Sequence, residues 1–364
     1  TDTLGVALVK LLVLGYLLGS NLATDIPIYV LALVIGVYQI FRATINLVTY
    51  VLYRKNNIRP RFRLLLDGIL LVFLGGASLL SSTGNSVFQL FVLGAYFFLY
   101  GLSNIRDGFL FEGEIGKNHL KRRIRISLPI VLAALIPART LAKINKFMQE
   151  NADEREDIHL GMVKSGKTAE LEIFVHTAET SLFSAIGHVD ICYQGRVISY
   201  GNYDPSSETL FGMVGDGVLY FCDRDKYIDL CKRESQKTLF GYGIDLTPEM
   251  EKAVQKKLAE LKQLTIPWEP SADKIMTGDG KEDYTYAYKI RHETDGELYK
   301  FIKSKFKSYF VLSTNCVLLA DTIVGQAGTD ILSPKGFIAP GTYQAYLNRE
   351  FEKPNSIVVS KHVY

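Results

Sequence analysis

The sequence predicts two folds in one chain: an α-helical membrane bundle followed by an α+β domain. Three observations lead there. Apolar runs of near-membrane length recur through the first 140 residues, the charge balance changes sign between the two parts, and strand-like alternation begins only near residue 170. Whole-chain values of 48% hydrophobic, 22% charged and net charge +3 over 364 residues conceal the division. Residues 1–125 hold 13 Lys/Arg against 6 Asp/Glu, whereas residues 126–364 hold 28 against 32. Such a split excludes a simple secreted enzyme and a simple soluble one. It also excludes nucleic acid as the partner, because the positive excess flanks apolar segments instead of forming its own basic surface. Four cysteines are too few for a disulfide scaffold.

A bilayer-spanning helix needs roughly 20 mostly apolar residues. Segments 4–18, 26–41 (running on to Tyr53), 64–80 and 87–102 meet that need, and a shorter run at 128–137 follows. The apolar segments keep recurring, unlike a signal peptide with one cleavage site. Residues 30–46 (VLALVIGVYQIFRATIN) match residues 88–104 (FQLFVLGAYFFLYGLSN), with Gly36 on Gly94 and Asn46 on Asn104. The small residues allow close helix packing in lipid. This pattern resembles the bacterial HdeD-type membrane repeat over residues 4–138. The resemblance implies a bundle of helical hairpins and supplies no catalytic motif.

Lys and Arg set the orientation. The links at 54–63 and 104–125 are strongly basic, while those near Asp25 and at 82–86 hold no Lys or Arg. The positive-inside rule places the basic links in the cytoplasm. An odd number of spans, counting 128–137, then exports everything after about residue 150. The expectation is a multi-pass protein of the cell membrane with an extracytoplasmic C-terminal domain.

The domain division is 1–148 for the membrane part, 149–169 for a linker and first hairpin, and 170–364 for the catalytic part. The charged stretch 149–159 reads as a solvated tether. Strand-like runs follow at 170–176, 188–193, 196–200 and 218–222. Thr247-Pro248-Glu249 starts a helix, with Thr as N-cap and Pro at the first position. Met250, Val254, Leu258 and Leu261 give that helix one apolar face. Residues 265–296 read as a long loop in which Tyr284, Tyr286 and Tyr288 alternate, as in a half-buried strand, a lid or a membrane-interface contact. A basic helix is expected over 297–309, with a third helix opening at Asn315-Cys316. Strands first and helices afterwards suggest α+β.

GMVKSGKT (161–168) fits the phosphate-loop pattern to the letter, and VLYFCD (218–223) passes for its acidic strand. That chemistry needs an apolar strand before the loop and a helix after it. A charged linker stands before Gly161, and AELEIFV after Thr168 alternates like a strand. A turn at Ser165-Gly166-Lys167 joining two strands fits better, so no nucleotide cofactor is expected.

A quieter constellation is more coherent. His188, Asp190 and Cys192 share one face of a strand, which turns at Gln194-Gly195 and returns as RVISYGN. Far downstream, Cys316 opens a helix, where the dipole and free backbone N–H groups favour a thiolate and an oxyanion. A histidine on a neighbouring strand would complete a nucleophile and base. Metal ligation by His188, Asp190 and Cys192 lacks a second ligand cluster at known spacing, so no metal is expected. Cys222 and Cys231 carry no motif.

GHVDICYQGRVISYG followed much later by TNCVLLADTIVG resembles the circularly permuted papain-like enzymes, a group that includes relatives of NlpC-type peptidases and the lecithin retinol acyltransferase-like enzymes. The resemblance covers roughly residues 170–350. It implies a papain-like fold with His188 as base and Cys316 as nucleophile. The third, orienting residue in that family is a polar side chain on the next strand, where this chain offers Tyr200, Asn202 and Asp204. Tyr200 stands twelve after His188, the spacing at which the acyltransferase branch places its second histidine, and a tyrosine there is a departure.

The function expected is thiol acyl transfer through a thioester, with membrane phospholipid as acyl donor and a lipoprotein amine as acceptor. One span would tether a wall hydrolase, so several favour lipid, and a basic helix at 297–309 would approach anionic lipid. The alternatives are a membrane-anchored peptidoglycan amidase or endopeptidase and a non-enzymatic binding protein. Nothing in the sequence fixes an oligomeric state.

Overall fold

The structure is a computed structural model that describes residues 26–80, 91, 94, 98, 162–163, 169–176, 188–235, 239–276, 282–325, 340–353 and 356–364. The chain divides into two compact units, residues 1–117 and 118–364. The expected spans at 4–18 and 128–137 lie outside the described residues, as does most of 87–102.

In the first unit, α1 (Ile26–Lys55) and α2 (Phe62–Leu80) form a helical hairpin around the basic link. Both are long and apolar enough to cross a membrane. Glycines mark the line along which they meet. A Cβ on Gly68 would lie 2.8 Å from Leu47, and one on Gly75 would lie 2.9 Å from Ile40. Gly36, the repeat glycine, faces Ser78 and Leu79 in the same way, as close packing through small residues requires. Outward-facing residues such as Phe73 and Leu80 are exposed and apolar, as on a surface that meets lipid.

The second unit is built on an antiparallel nine-stranded sheet. Its strands are β1 (Met162–Val163), β2 (Leu171–His176), β3 (His188–Tyr193), β4 (Arg196–Gly201), β6 (Val218–Asp223), β7 (Leu239–Ile244), β8 (Thr265–Pro267), β11 (Glu297–Phe301) and β13 (Val358–Val363). The spatial order is β1-β13-β7-β2-β3-β4-β6-β11-β8. Two small ribbons stand apart: β5 (Val214–Asp216) with β12 (Ser308–Phe310), and β9 (Lys274–Met276) with β10 (Glu282–Tyr284). Helices cover both faces. Ile173, Val175, Val189, Ile191 and Ile198 pack against α4 (Pro248–Lys262), α6 (Cys316–Val324) and α7 (Pro340–Glu352). Phe174, Cys192, Val197 and Tyr220 pack on the opposite face, with α3 (Arg224–Ser235) and α5 (Tyr286–Glu293). Burial on both faces explains why the central strands read as nearly continuous apolar runs.

Local chemistry places the helices as the sequence indicates at two points. Thr247 accepts a hydrogen bond from the Met250 N–H to cap α4, and Met250, Val254 and Leu261 are buried. Asn315 caps α6 by accepting from the Leu318 N–H.

Three expectations are corrected. Residues 297–309 are not a helix. Leu298 and Phe301 enter the cores on opposite faces of the sheet, a two-sided burial that a strand satisfies, and Ser304 at φ 84° ends it. Lys300 is held by Asp204 at 2.5 Å and Asp216 at 2.9 Å, so it is withdrawn from the basic helix face expected there. The supposed loop at 265–296 contains β8, β9, β10 and α5, so Tyr284 lies on a strand while Tyr286 and Tyr288 lie on a helix capped by Thr285. The strands flanking the phosphate-loop motif do not form a hairpin. β13 and β7 lie between β1 and β2, although a strand does follow the motif where nucleotide binding needs a helix. Residues 164–168 themselves lie outside the described residues.

Candidate active site

β2 ends at His176 and β3 begins at His188, and the two residues are register partners. They therefore stand side by side at one end of the sheet, with ring centroids 5.5 Å apart. Strand alternation puts Asp190 on their face, fully buried. Its carboxylate lies between the rings. Oδ2 is 2.7 Å from His176 Nε2 and accepts from the Tyr227 hydroxyl of α3 at 2.5 Å. Oδ1 lies 2.8 Å from His188 Nε2 in an ion-pair contact. His188 Nε2 also meets Ser199 Oγ at 2.9 Å and the Tyr203 hydroxyl at 3.1 Å. Tyr203 can fold back there because it follows Gly201 closely: a Cβ on Gly201 would lie 2.6 Å from the tyrosine ring.

The electrostatics follow from this packing. Burial opposes a charge on His188, but Asp190, with help from Tyr203 and Cys316, outweighs it and lifts the imidazole pKa well above the ordinary value. Burial also opposes charge on Asp190, yet the neighbouring histidines hold its carboxyl far below the usual carboxylate range. Burial pushes Tyr203 up to about 12. His188 and Asp190 thus form a tightly coupled charged pair, with the His188 side chain 26% exposed and the Asp190 side chain sealed.

Cys316 arrives from the other side. It is the first residue of α6, which packs across β3 and β4, and it is buried with Val189, Ile191 and Tyr200. His188 and Cys316 therefore belong to opposite faces of the sheet. Cys316 is close enough for its charge to act on both His188 and Tyr203. The hydrogen bonds seen for His188 run to Ser199 and Tyr203, and the thiol's hydrogen-bond partner is Tyr309 on β12. Burial, then the charge of Cys316, raises Tyr309 well above the normal phenol range.

Of the three candidates for the orienting residue, Tyr200 points into the core under α6. Its hydroxyl donates to the Phe306 carbonyl at 2.9 Å, and its ring packs on Phe301, Phe306 and Tyr309. The neighbouring Ser199 holds His188 instead. Asp204 is committed to Lys300 and to capping the short turn Pro205–Ser207. Asn202 lies beside Gly215 of β5. His176, Ser199, Tyr203, Tyr227 and Tyr309 escaped sequence reasoning. His176 was legible in principle, as the polar end of an apolar strand, whereas Tyr227 and Tyr309 come from elements with no motif.

The other thiols differ in kind. Burial pushes Cys192 and Cys231 up to about 12, and Cys222 higher still, so all three behave as packed apolar groups. Among the described residues no His, Cys, Asp and Glu cluster has the arrangement to hold a metal ion. Comparison of the chain with family models, with curated proteins and with solved structures yields no match.

Proposed function

We propose that this chain is a membrane-embedded thiol acyltransferase, with Cys316 as nucleophile and His188 as base and acid. The carrying observation is a histidine biased toward its charged form by a buried carboxylate, with the helix-start Cys316 near enough to act on it electrostatically. Asp190 takes the orienting role in this reading, as a positioning residue that acts through His188, and Tyr200 is a core side chain. The permuted papain-like resemblance supplies the same pair of roles by analogy.

In the reaction, His188 in its neutral form takes the proton of Cys316 as Sγ attacks the carbonyl carbon of an acyl ester. The tetrahedral intermediate collapses to a thioester, and the departing oxygen takes the proton from His188. An amine acceptor then attacks the thioester, releases the thiol and completes N-acylation; water in its place would give hydrolysis. Asp190 favours the imidazolium throughout.

A phospholipid donor and a lipoprotein amine acceptor fit a chain with two helices of membrane length. Leu210 and Phe211, the latter 92% exposed, sit on the turn before β5 and add an apolar edge beside the ribbon that carries Tyr309. The extracytoplasmic placement of residues 150–364 belongs to the same reading and rests on the Lys/Arg count. Intact-mass measurement of the purified full chain after exposure to phospholipid vesicles tests the proposal. A gain of fatty-acyl size that disappears with Cys316→Ala is expected. No gain with lipid, but release of amide products from peptidoglycan, would transfer the chain to the wall-hydrolase alternative.

A further inference from the structure

The Asn202 side chain is anomalous. Both its Nδ2 and its Oδ1 are sealed from solvent, and neither has a hydrogen-bond partner. Burying an amide unsatisfied is costly, and natural structures rarely retain such a group without a use for it. The next residue, Tyr203, reaches His188 at 3.1 Å. On its other side Asn202 crowds Gly215 so closely that a Cβ there would lie 2.1 Å from Oδ1 and 2.7 Å from Nδ2. Gly215 is the register partner of Tyr309, whose hydroxyl bonds Cys316. Asn202 thus follows β4 next to the residue that reaches His188, and its amide lies against the strand paired with that of Tyr309, with a donor to spare.

We propose that Asn202 Nδ2–H is the side-chain donor of an oxyanion hole, an assignment that rests on the thiol acyl-transfer reading. As Sγ of Cys316 forms its bond to the acyl carbon, the carbonyl π pair moves onto oxygen. That oxygen accepts from Asn202 Nδ2–H and from the start of α6. There, Leu318 N–H is already taken by the Asn315 side chain and Leu319 N–H by the Asn315 carbonyl. The Cys316 and Val317 N–H groups have no intrahelical acceptor, as at any helix start. When the pair returns to carbon, the leaving oxygen departs with the proton from His188. The unsatisfied amide is thus the cost of a donor held ready for a charge that exists only in the transition state.

The opposite signs of two effects test this assignment. In the full chain reconstituted with phospholipid, Asn202→Leu is expected to keep or raise Tm, because it removes an unpaired amide. The same variant slows acyl-enzyme formation by about 10²–10³-fold, the loss typical of one oxyanion donor. Asn202→Ala serves as a second variant if leucine is not accommodated beside Gly215, and the same rate loss is expected. A fall in Tm of both variants with a rate within a few-fold of wild type would show a structural amide and overturn the assignment. Failure of the wild type itself to acylate overturns the functional reading; equal acylation by wild type and both variants overturns the oxyanion role alone.

Discussion

Replacing Asp190 by Asn removes one charge from the centre of the site while keeping its shape. The carboxylate is fully buried and contacts His176 at 2.7 Å, Tyr227 at 2.5 Å and His188 at 2.8 Å. Breaking a buried pair by neutralising one partner costs roughly 3–5 kcal/mol, and the amide's retained hydrogen-bonding capacity favours the lower end, about 3 kcal/mol. For a unit near 250 residues that corresponds to a Tm lower by roughly 6–12 °C. The dependence on pH has a defined sign. The depressed Asp190 contributes stability above its unfolded pKa of about 4 and loses it as pH falls through its lower folded value. The raised His188 contributes fully below its unfolded pKa of about 6.5 and loses it as pH rises through its higher folded value. The gap in Tm between wild type and Asp190→Asn is therefore widest between about pH 4 and 6.5 and narrows on the alkaline side. Thermal unfolding of both proteins across pH, with the His188 titration followed by NMR, measures it. A gap below about 2 °C, or one that widens toward alkaline pH, would refute the coupled-pair reasoning.

Two further outcomes are expected. Gly217→Ala would place a Cβ 1.9 Å from the Phe306 carbonyl oxygen, a backbone atom, so the joint between β6 and the segment before β12 must shift. A loss of about 1–3 kcal/mol by chemical denaturation is expected, and an unchanged midpoint would contradict the packing described. ATP should leave Tm unchanged in wild type and in Lys167→Ala alike, since β2 follows the motif in place of a phosphate-binding helix; saturable binding abolished by the substitution would reverse that conclusion.

What the sequence made legible is local. The caps at Thr247 and Asn315 announce their helices because a side-chain oxygen satisfies a nearby backbone N–H. His188 and Cys316 were legible as a strand residue and a helix start. Their surroundings were not: Tyr227 lies 37 residues beyond Asp190, and His176 is placed by the pairing of β2 with β3. Asp190 was seen to share a face with His188, yet its role depends on β2 lying alongside, which no local pattern encodes. The misread segment 297–309 shows the complementary failure. Lys300 looked solvent-directed, whereas Asp204 and Asp216, more than 80 residues away, neutralise it within the fold. The small strands at 265–284 are too short to carry a period of their own.

The pairing of Cys316 with His188 is the claim on which the chemistry depends. A short bifunctional alkylating agent, dibromoacetone, joins a thiol to an imidazole only when the two lie within one bridging carbonyl unit of each other. Peptide mapping of the treated full chain should recover a Cys316–His188 cross-link, lost in His188→Gln while Cys316 still takes a single alkyl group. Modification of Cys316 without any link to His188 in the wild type would contradict the pair.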